Sequence, residues 1–391
     1  MGIWARATAA AAVGGTALAV VSGAAGWGTE HRLLAAVALP PLVALVVLAW
    51  TSARHLLYSA VGAVLLFGMA ALVTVPGLHL AAASAAFAGT ALLALRIFVE
   101  GRGVPHGALA DYVTLTKPRV MSLLLLTGAA GAFVGAGGAP APATFAVTIV
   151  GLALACGGAA ALNHYLDRDI DPLMGERTAS RPVASGRLAP ALALEFGVAL
   201  SAVSFVLLDA LVNLPTALLA LAGNLFYVFV YTRWLKRSTP QNIVIGGAAG
   251  AVPPLVGYAS ASGHLGWAAL VMFGVVFLWT PPHFWALALM IKEHYAAARV
   301  PMLPNVRGDR ETARQILAYT AVLVAGTLVP VAFGVFGVVY GVAAVLLGAL
   351  FLWWSYELLR DTTRRRAALL FHYSLLYLAL LFVAMALDAL V

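Results

Sequence analysis

Apolar runs about as long as a bilayer is thick recur along this chain, separated by short polar connections. From residue 111 onward nine of them lie near 120–137, 143–163, 189–208, 213–232, 242–260, 266–290, 314–334, 337–357 and 367–389. In lipid every backbone polar group must be satisfied internally, so only helices and closed barrels can span. These runs are far too long for barrel strands. With 63% hydrophobic residues, 10% charged residues and a mean hydropathy of +0.97, the chain reads as an all-α polytopic membrane protein. The net charge of +8 comes from loop arginines and calls for no nucleic-acid partner. Cys156 is the one cysteine, which excludes an intramolecular disulfide and a cysteine-rich metal site. In an apolar helix it reads as a packing residue.

About four further spans precede these, at 1–26 and near 32–51, 54–75 and 78–98. Residues 1–26, with Arg6 and small residues near Ala24, fit a retained first helix better than a cleaved signal peptide. The segment 99–118 is polar for this chain, with Glu100, Arg102, His106, Asp111, Lys117 and Arg119. It divides an N-terminal bundle (1–107) from a nine-helix domain (108–391). His31 and His79 open alternate helices and so fall at one membrane face. They read either as interfacial histidines or as a pair able to hold a haem iron. Their contexts, EHR and LHL, resemble half of a haem A synthase.

Loop charge orients the chain. Lys117, Arg119, Arg168, Arg177, Arg181, Arg187, Arg233, Lys236, Arg237, Lys292, Arg307, Arg310, Arg314, Arg360 and Arg364 to Arg366 all fall on one side when spans alternate. The opposite connections near 138–142, 209–212, 261–265 and 335–336 contain no Lys or Arg. The charged side is thus expected to be cytoplasmic.

On that side Asn163 to Pro190 follows the apolar run Phe145 to Leu162. Asn163, Asp167 and Asp171 fall at i, i+4 and i+8, one face of a continuing helix. Pro172 disfavours the α region for Asp171, so the helix is expected to end there. Asp167, Asp169 and Asp171 would crowd a helix C-terminus, where the macrodipole already opposes negative charge, and Arg168 alone does not offset them. A divalent cation would. Oxygen ligands suit a hard ion such as Mg²⁺, which usually arrives with substrate phosphate. Arg177, Arg181 and Arg187 follow closely enough to hold that phosphate. Acids and arginines paired in a solvated loop are the alternative.

Three more segments share this face. Thr114 to Val120 leads into the first span of the nine-helix domain. Tyr231 to Asn242 carries Lys236 and Arg237, which serve equally as dipole complements or as diphosphate ligands. Beyond it Gly246, Gly247 and Gly250 permit close helix packing, and Pro253 and Pro254 break or kink the helix. Thr280 to Arg310 begins inside a span, where Pro281 and Pro282 free backbone carbonyls beside His283, Phe284 and Trp285. His283 is either a contact for a flat aromatic substrate or a satisfied core histidine.

The stretches NHYLDRDID with SRPVASGRL, YTRWLKRSTPQNIVIGGAAGAVPPLVGY and TPPHFWALALMIKEHYAAARVPMLPNVRG resemble the protoheme IX farnesyltransferases, or haem O synthases, of the intramembrane aromatic prenyltransferase superfamily. The resemblance covers roughly 108–391. It implies a nine-helix prenyltransferase bundle in the cell inner membrane, with farnesyl diphosphate and haem b as substrates, Mg²⁺ as the ion, and haem A synthase as a partner downstream. It implies that Asn163, Asp167 and Asp171 hold the metal, that Lys117, Arg181, Lys236 and Arg237 hold the diphosphate, and that His283 and Trp285 lie by the haem. The superfamily carries a second acidic motif where this chain has Lys292-Glu293-His294-Tyr295, leaving Glu293 as the candidate there. A prenyltransferase acting on a quinone precursor is the nearer alternative. A haem carrier is the more distant one, disfavoured by the nearly bare outer face.

Overall fold

The computed structural model describes residues 107–391 and five isolated positions before them, Thr8, Ala11, Ala12, Pro41 and Ala44. The four N-terminal spans, His31 and His79 lie outside the described residues. Among the described residues nine helices are long and apolar enough to cross a membrane. They are α1 (Pro118–Ala136), α2 (Pro142–Leu166), α3 (Pro190–Leu211), α4 (Leu214–Ser238), α5 (Asn242–Ser262), α6 (Trp267–Met290), α7 (Asp309–Ala332), α8 (Val338–Arg360) and α9 (Arg364–Asp388). This is the expected nine-span pattern, with boundaries moved by a few residues. The chain is a multi-pass membrane protein.

Proline starts α1, α2 and α3 at the first helical position, where its missing N–H costs nothing. Small residues then set how closely helices approach. Gly128, Gly131 and Gly135 of α1 face the backbone of Pro253, Pro254 and Tyr258 on α5, and a Cβ on Gly257 would run into the Gly128 carbonyl. The two helices therefore pack backbone to backbone. On the α2–α3–α4 side the joints are polar as well. Ser204 Oγ donates to Gly151 O at 2.6 Å, and Asn224 Nδ2 donates to Ala155 O at 3.0 Å and Ser201 Oγ at 2.8 Å. The α6–α9 half is held by an apolar core that includes Met272, Leu323, Phe351, Tyr377 and Phe382. Helix α9 returns against α1.

Two helices depart from regular winding. Helix α5 breaks at Ala251, ahead of Pro253 and Pro254, as the sequence suggested. Gly246 packs under the Tyr231 ring and Gly247 under Thr280, whereas nothing approaches Gly250. Helix α4 winds as a π-helix over Phe226–Leu235 before a last α turn at Lys236–Ser238. Such wide turns gather at functional sites. By contrast α6 runs unbroken through Pro281 and Pro282.

Candidate active site

The start of α1 and the ends of α2 and α4 meet at one end of the bundle. Helix α2 stops at Leu166, one turn earlier than Pro172 suggested, and Asp171 opens a short 3₁₀ turn, Asp171–Leu173. The helical spacing survives the change, because Asp171 N still donates to Asp167 O at 2.8 Å. Asp167 and Asp171 are both fully buried, and Asn163 is nearly so.

The charges that balance them come from the end of α4 and from farther along the same loop rather than from Arg168, which stacks on the Tyr165 ring at 4.4 Å. Lys236 Nζ donates to Asp167 Oδ2 at 2.5 Å. Arg181 Nη1 donates to Asp171 Oδ1 at 2.6 Å. Arg237 forms a two-pronged pair with Asp169 at 2.6 and 2.7 Å, and lies 3.6 Å from Asp167. Lys117 Nζ donates to Asn163 Oδ1 at 2.7 Å, and Asn163 Nδ2 donates onward to Asp167 Oδ2 at 2.9 Å and Thr232 Oγ1 at 3.1 Å. Asn163 thereby joins α1, α2 and α4. All seven residues expected to bind metal or diphosphate belong to this one network.

Its electrostatics are strained. Lys117 sits in the left-handed region at φ 51°, which an L side chain adopts only at a cost of about 1–3 kcal/mol. Burial, and then the charge of Arg181, pull its amine down to about 7. Burial pushes the Asp171 carboxyl up, against the pull of Arg181. The hydrogen bond from Arg237 holds the more exposed Asp169 carboxyl down at about 2. Burial pushes the Tyr295 phenol up to about 12, and the neighbouring His294 ring approaches Gly175, which brings the Thr280 to Arg310 segment beside the acidic loop.

Two buried carboxylate oxygens, Asp167 Oδ1 and Asp171 Oδ2, have no hydrogen-bond partner. Anionic oxygens left over after four cations have been placed fit a hard divalent cation. Among the described residues no group of three or more His, Cys, Asp or Glu could hold such an ion alone. An ion held by these two oxygens would take its remaining ligands from elsewhere.

Other candidates lie elsewhere. Arg187 ties the loop down, donating to Asp111 Oδ1, Ser180 O and Ser185 Oγ at 2.9–3.0 Å. Glu293 lines a polar pocket of about 300 Å³ with Lys292, His294, Asp309 and Arg364. His294 packs against Gly175 of the acidic loop. His283 is buried between the rings of Trp279 (4.3 Å) and Phe371 (4.7 Å), with Nδ1 2.7 Å from Ser374 Oγ. Trp285 is buried against Tyr319 with its indole N–H unpartnered. Sequence reasoning passed over Thr232, one step beyond the noted Tyr231. It also passed over His164, 2% exposed with neither ring nitrogen hydrogen-bonded.

A bundle of membrane-length helices capped at one end by a buried carboxylate–cation network is a membrane-embedded site for an anionic head group. The family model for the UbiA prenyltransferase family matches residues 124–384. A protoheme IX farnesyltransferase of Symbiobacterium thermophilum is 55% identical over 280 residues, 71% of this chain and 93% of that one. One from Gloeobacter violaceus is 52% identical over 291 residues, 74% and 95% of the two chains. A solved structure concerned with digeranylgeranylglyceryl phosphate synthase superposes with TM-score 0.60 at 18% identity, covering 72% of this chain and 98% of its own. A UbiA homolog from Archaeoglobus fulgidus, solved with GPP and Mg²⁺, superposes with TM-score 0.54 at 16% identity, covering 70% and 99%. The chain belongs to the UbiA prenyltransferase family and is a prenyl-transferring enzyme.

Proposed function

We propose that this enzyme transfers a farnesyl group from farnesyl diphosphate to a vinyl group of haem b, with addition of water, giving haem O and diphosphate. The observation that carries the reading is the gathering of Lys117, Asn163, Asp167, Asp171, Arg181, Lys236 and Arg237 into one buried network. The choice of haem and farnesyl rests on relatives that are 55% and 52% identical over 280 and 291 aligned residues and are named for that reaction.

Lys117, Arg181, Lys236 and Arg237 would bind the diphosphate. Asn163, Asp167, Asp169 and Asp171 fix those cations before substrate arrives, so little reorganisation is needed as charge moves. Asn163, Asp167 and Asp171 are also the residues that would hold Mg²⁺ against the diphosphate; bound there, the ion would neutralise charge developing on the leaving group. The C1–O bond of farnesyl diphosphate breaks and its electron pair leaves with diphosphate. The vinyl π electrons form the new bond to farnesyl C1. The cation left beside the porphyrin ring takes a water oxygen and releases a proton. No side-chain nucleophile is required. His283 and Trp285 would wall the haem half, and Glu293 is the candidate for a second acidic site.

The excess of Lys and Arg on this face supports a cytoplasmic site in the cell inner membrane. Residues 1–107 would form a separate unit before the 108–391 enzyme, with haem A synthase as the protein receiving the product.

The test is mass spectrometry of haem extracted from membranes containing the full chain, farnesyl diphosphate and, in a parallel sample, a chelator. A haem heavier by farnesyl plus water, absent with chelator, is expected. Unmodified haem b in every sample would overturn the reading and favour a quinone-precursor prenyltransferase.

A further inference from the structure

One histidine stands where a membrane helix has little use for it. His372 lies eight residues into α9, about 12 Å along the axis from Arg364. Its side chain is on the outer surface of the bundle, in a stripe with Leu369 and Leu376, both about half exposed. Polar groups inside a membrane are costly and usually functional. Its Nδ1 lies 2.7 Å from Ala368 O. A carbonyl only accepts, so Nδ1 carries the proton and Nε2 presents a free lone pair outward. A backbone carbonyl on one imidazole nitrogen and an open second nitrogen is the usual arrangement of a metal-ligating histidine.

The same stripe carries charge at its cytoplasmic end. Positions 365, 369, 372 and 376 share one helical face. Arg366 is held by Glu357 and Asp361, whereas Arg364 and Arg365 make no ion pair among the described residues. Seven residues, about 10 Å of helix, separate Arg365 from His372. That is comparable with the reach from a porphyrin iron to its propionate carboxylates. A phospholipid head group would use the arginines and leave Nε2 without a role. An iron porphyrin uses both.

We propose that this face of α9 is a loading site for haem entering from the membrane, with iron on His372 Nε2, the macrocycle along Leu369 and Leu376, and a propionate on Arg365. The site deepens the haem reading above and rests on it. It also gives the iron a ligand other than His283, whose ring is clamped between Trp279 and Phe371. Phe371 connects the two histidines, stacking on His283 and meeting the His372 ring edge-on at 5.2 Å.

The test uses the full chain in phosphatidylcholine nanodiscs, titrated with haemin and separately with metal-free protoporphyrin IX, and read by absorption and electron paramagnetic resonance. Wild type should show imidazole-ligated haem. His372→Leu should lose that signature and bind haemin at least tenfold more weakly, while its protoporphyrin IX affinity stays within twofold. Arg365→Gln should weaken both probes. His372→Gln, which keeps a polar side chain, should behave towards haemin as the leucine variant does. Wild type without imidazole-ligated haem would overturn the proposal, and so would a His372→Leu variant with an unchanged signature. Farnesyl transfer is scored on the same wild-type sample. Ligation through His372 without any transfer would sink the proposed reaction and leave this site standing. Transfer without imidazole ligation would sink this site alone.

Discussion

Replacing Asp167 with leucine should cost far more than an ordinary surface change, and a second substitution should recover much of the loss. Asp167 is fully buried, accepts hydrogen bonds from Lys236 and Asn163, and has Arg237 at 3.6 Å. Lys236 is itself only 9% exposed. Removing one member of a buried ion pair leaves the other charge uncompensated, a loss of about 3–5 kcal/mol. Replacing both members with apolar groups of similar volume is often close to neutral. Asp167→Leu alone should therefore lower stability by about 3–5 kcal/mol. Asp167→Leu with Lys236→Met should be more stable than the sum of the two single effects, by about 0.5–3 kcal/mol. Arg237, which loses a neighbour in both backgrounds, limits the recovery. Equilibrium unfolding of the purified protein in detergent, run as a double-mutant cycle, measures this directly. Transfer should fall by about 10²-fold or more in all three variants, because each removes a preorganised charge. A single variant costing under about 1 kcal/mol, or strictly additive effects, would refute the argument that these charges are desolvated and coupled.

Chelation should abolish transfer and added Mg²⁺ should restore it, with Asp171→Asn requiring more Mg²⁺; activity that resists chelator would remove the metal from Asn163, Asp167 and Asp171. Gly257→Ala should lower the melting temperature sharply, since its Cβ meets the Gly128 carbonyl, whereas Gly250→Ala, with open space around it, should be neutral or stabilising. Equal effects in thermal melts would refute the backbone-to-backbone packing of α1 and α5. Ser374→Ala strips His283 Nδ1 of its partner and should cost about 1–3 kcal/mol by equilibrium unfolding; a negligible change would show that water replaces the hydroxyl.

Much of the site was legible because its chemistry is concentrated in loops that contrast with apolar surroundings. Asn163, Asp167 and Asp171 could be grouped by spacing alone, and charge bias brought Lys117, Arg181, Lys236 and Arg237 to the same face. The pairings were not legible. Lys236 meets Asp167 and Arg237 meets Asp169 across almost seventy residues of sequence, and only packing of α2 against α4 decides which cation takes which carboxylate. The same limit explains Arg187. By type and position it looks like a phosphate ligand, yet it is committed to Asp111. The early end of α2 escaped because steric restriction before proline marks the last point at which a helix can continue. It does not mark where the helix stops. The prolines of α6 show the converse, since the helix runs on through Pro281 and Pro282 where proline chemistry alone suggests a break.

The π-wound segment of α4 sets a condition on how this enzyme can change. An ordinary α-helix advances about 100° per residue. Losing a single residue between Phe226 and Leu235 while the wide winding persists would turn the end of the helix by roughly that angle, and only a return of the stretch to regular winding would restore its register. The span would remain long and apolar enough to insert in the same orientation. Without that return, however, Lys236 and Arg237 would rotate off Asp167 and Asp169. Descendants carrying such a deletion would be inserted like their parent yet catalytically silent, so indels here should be purged even where substitutions are tolerated.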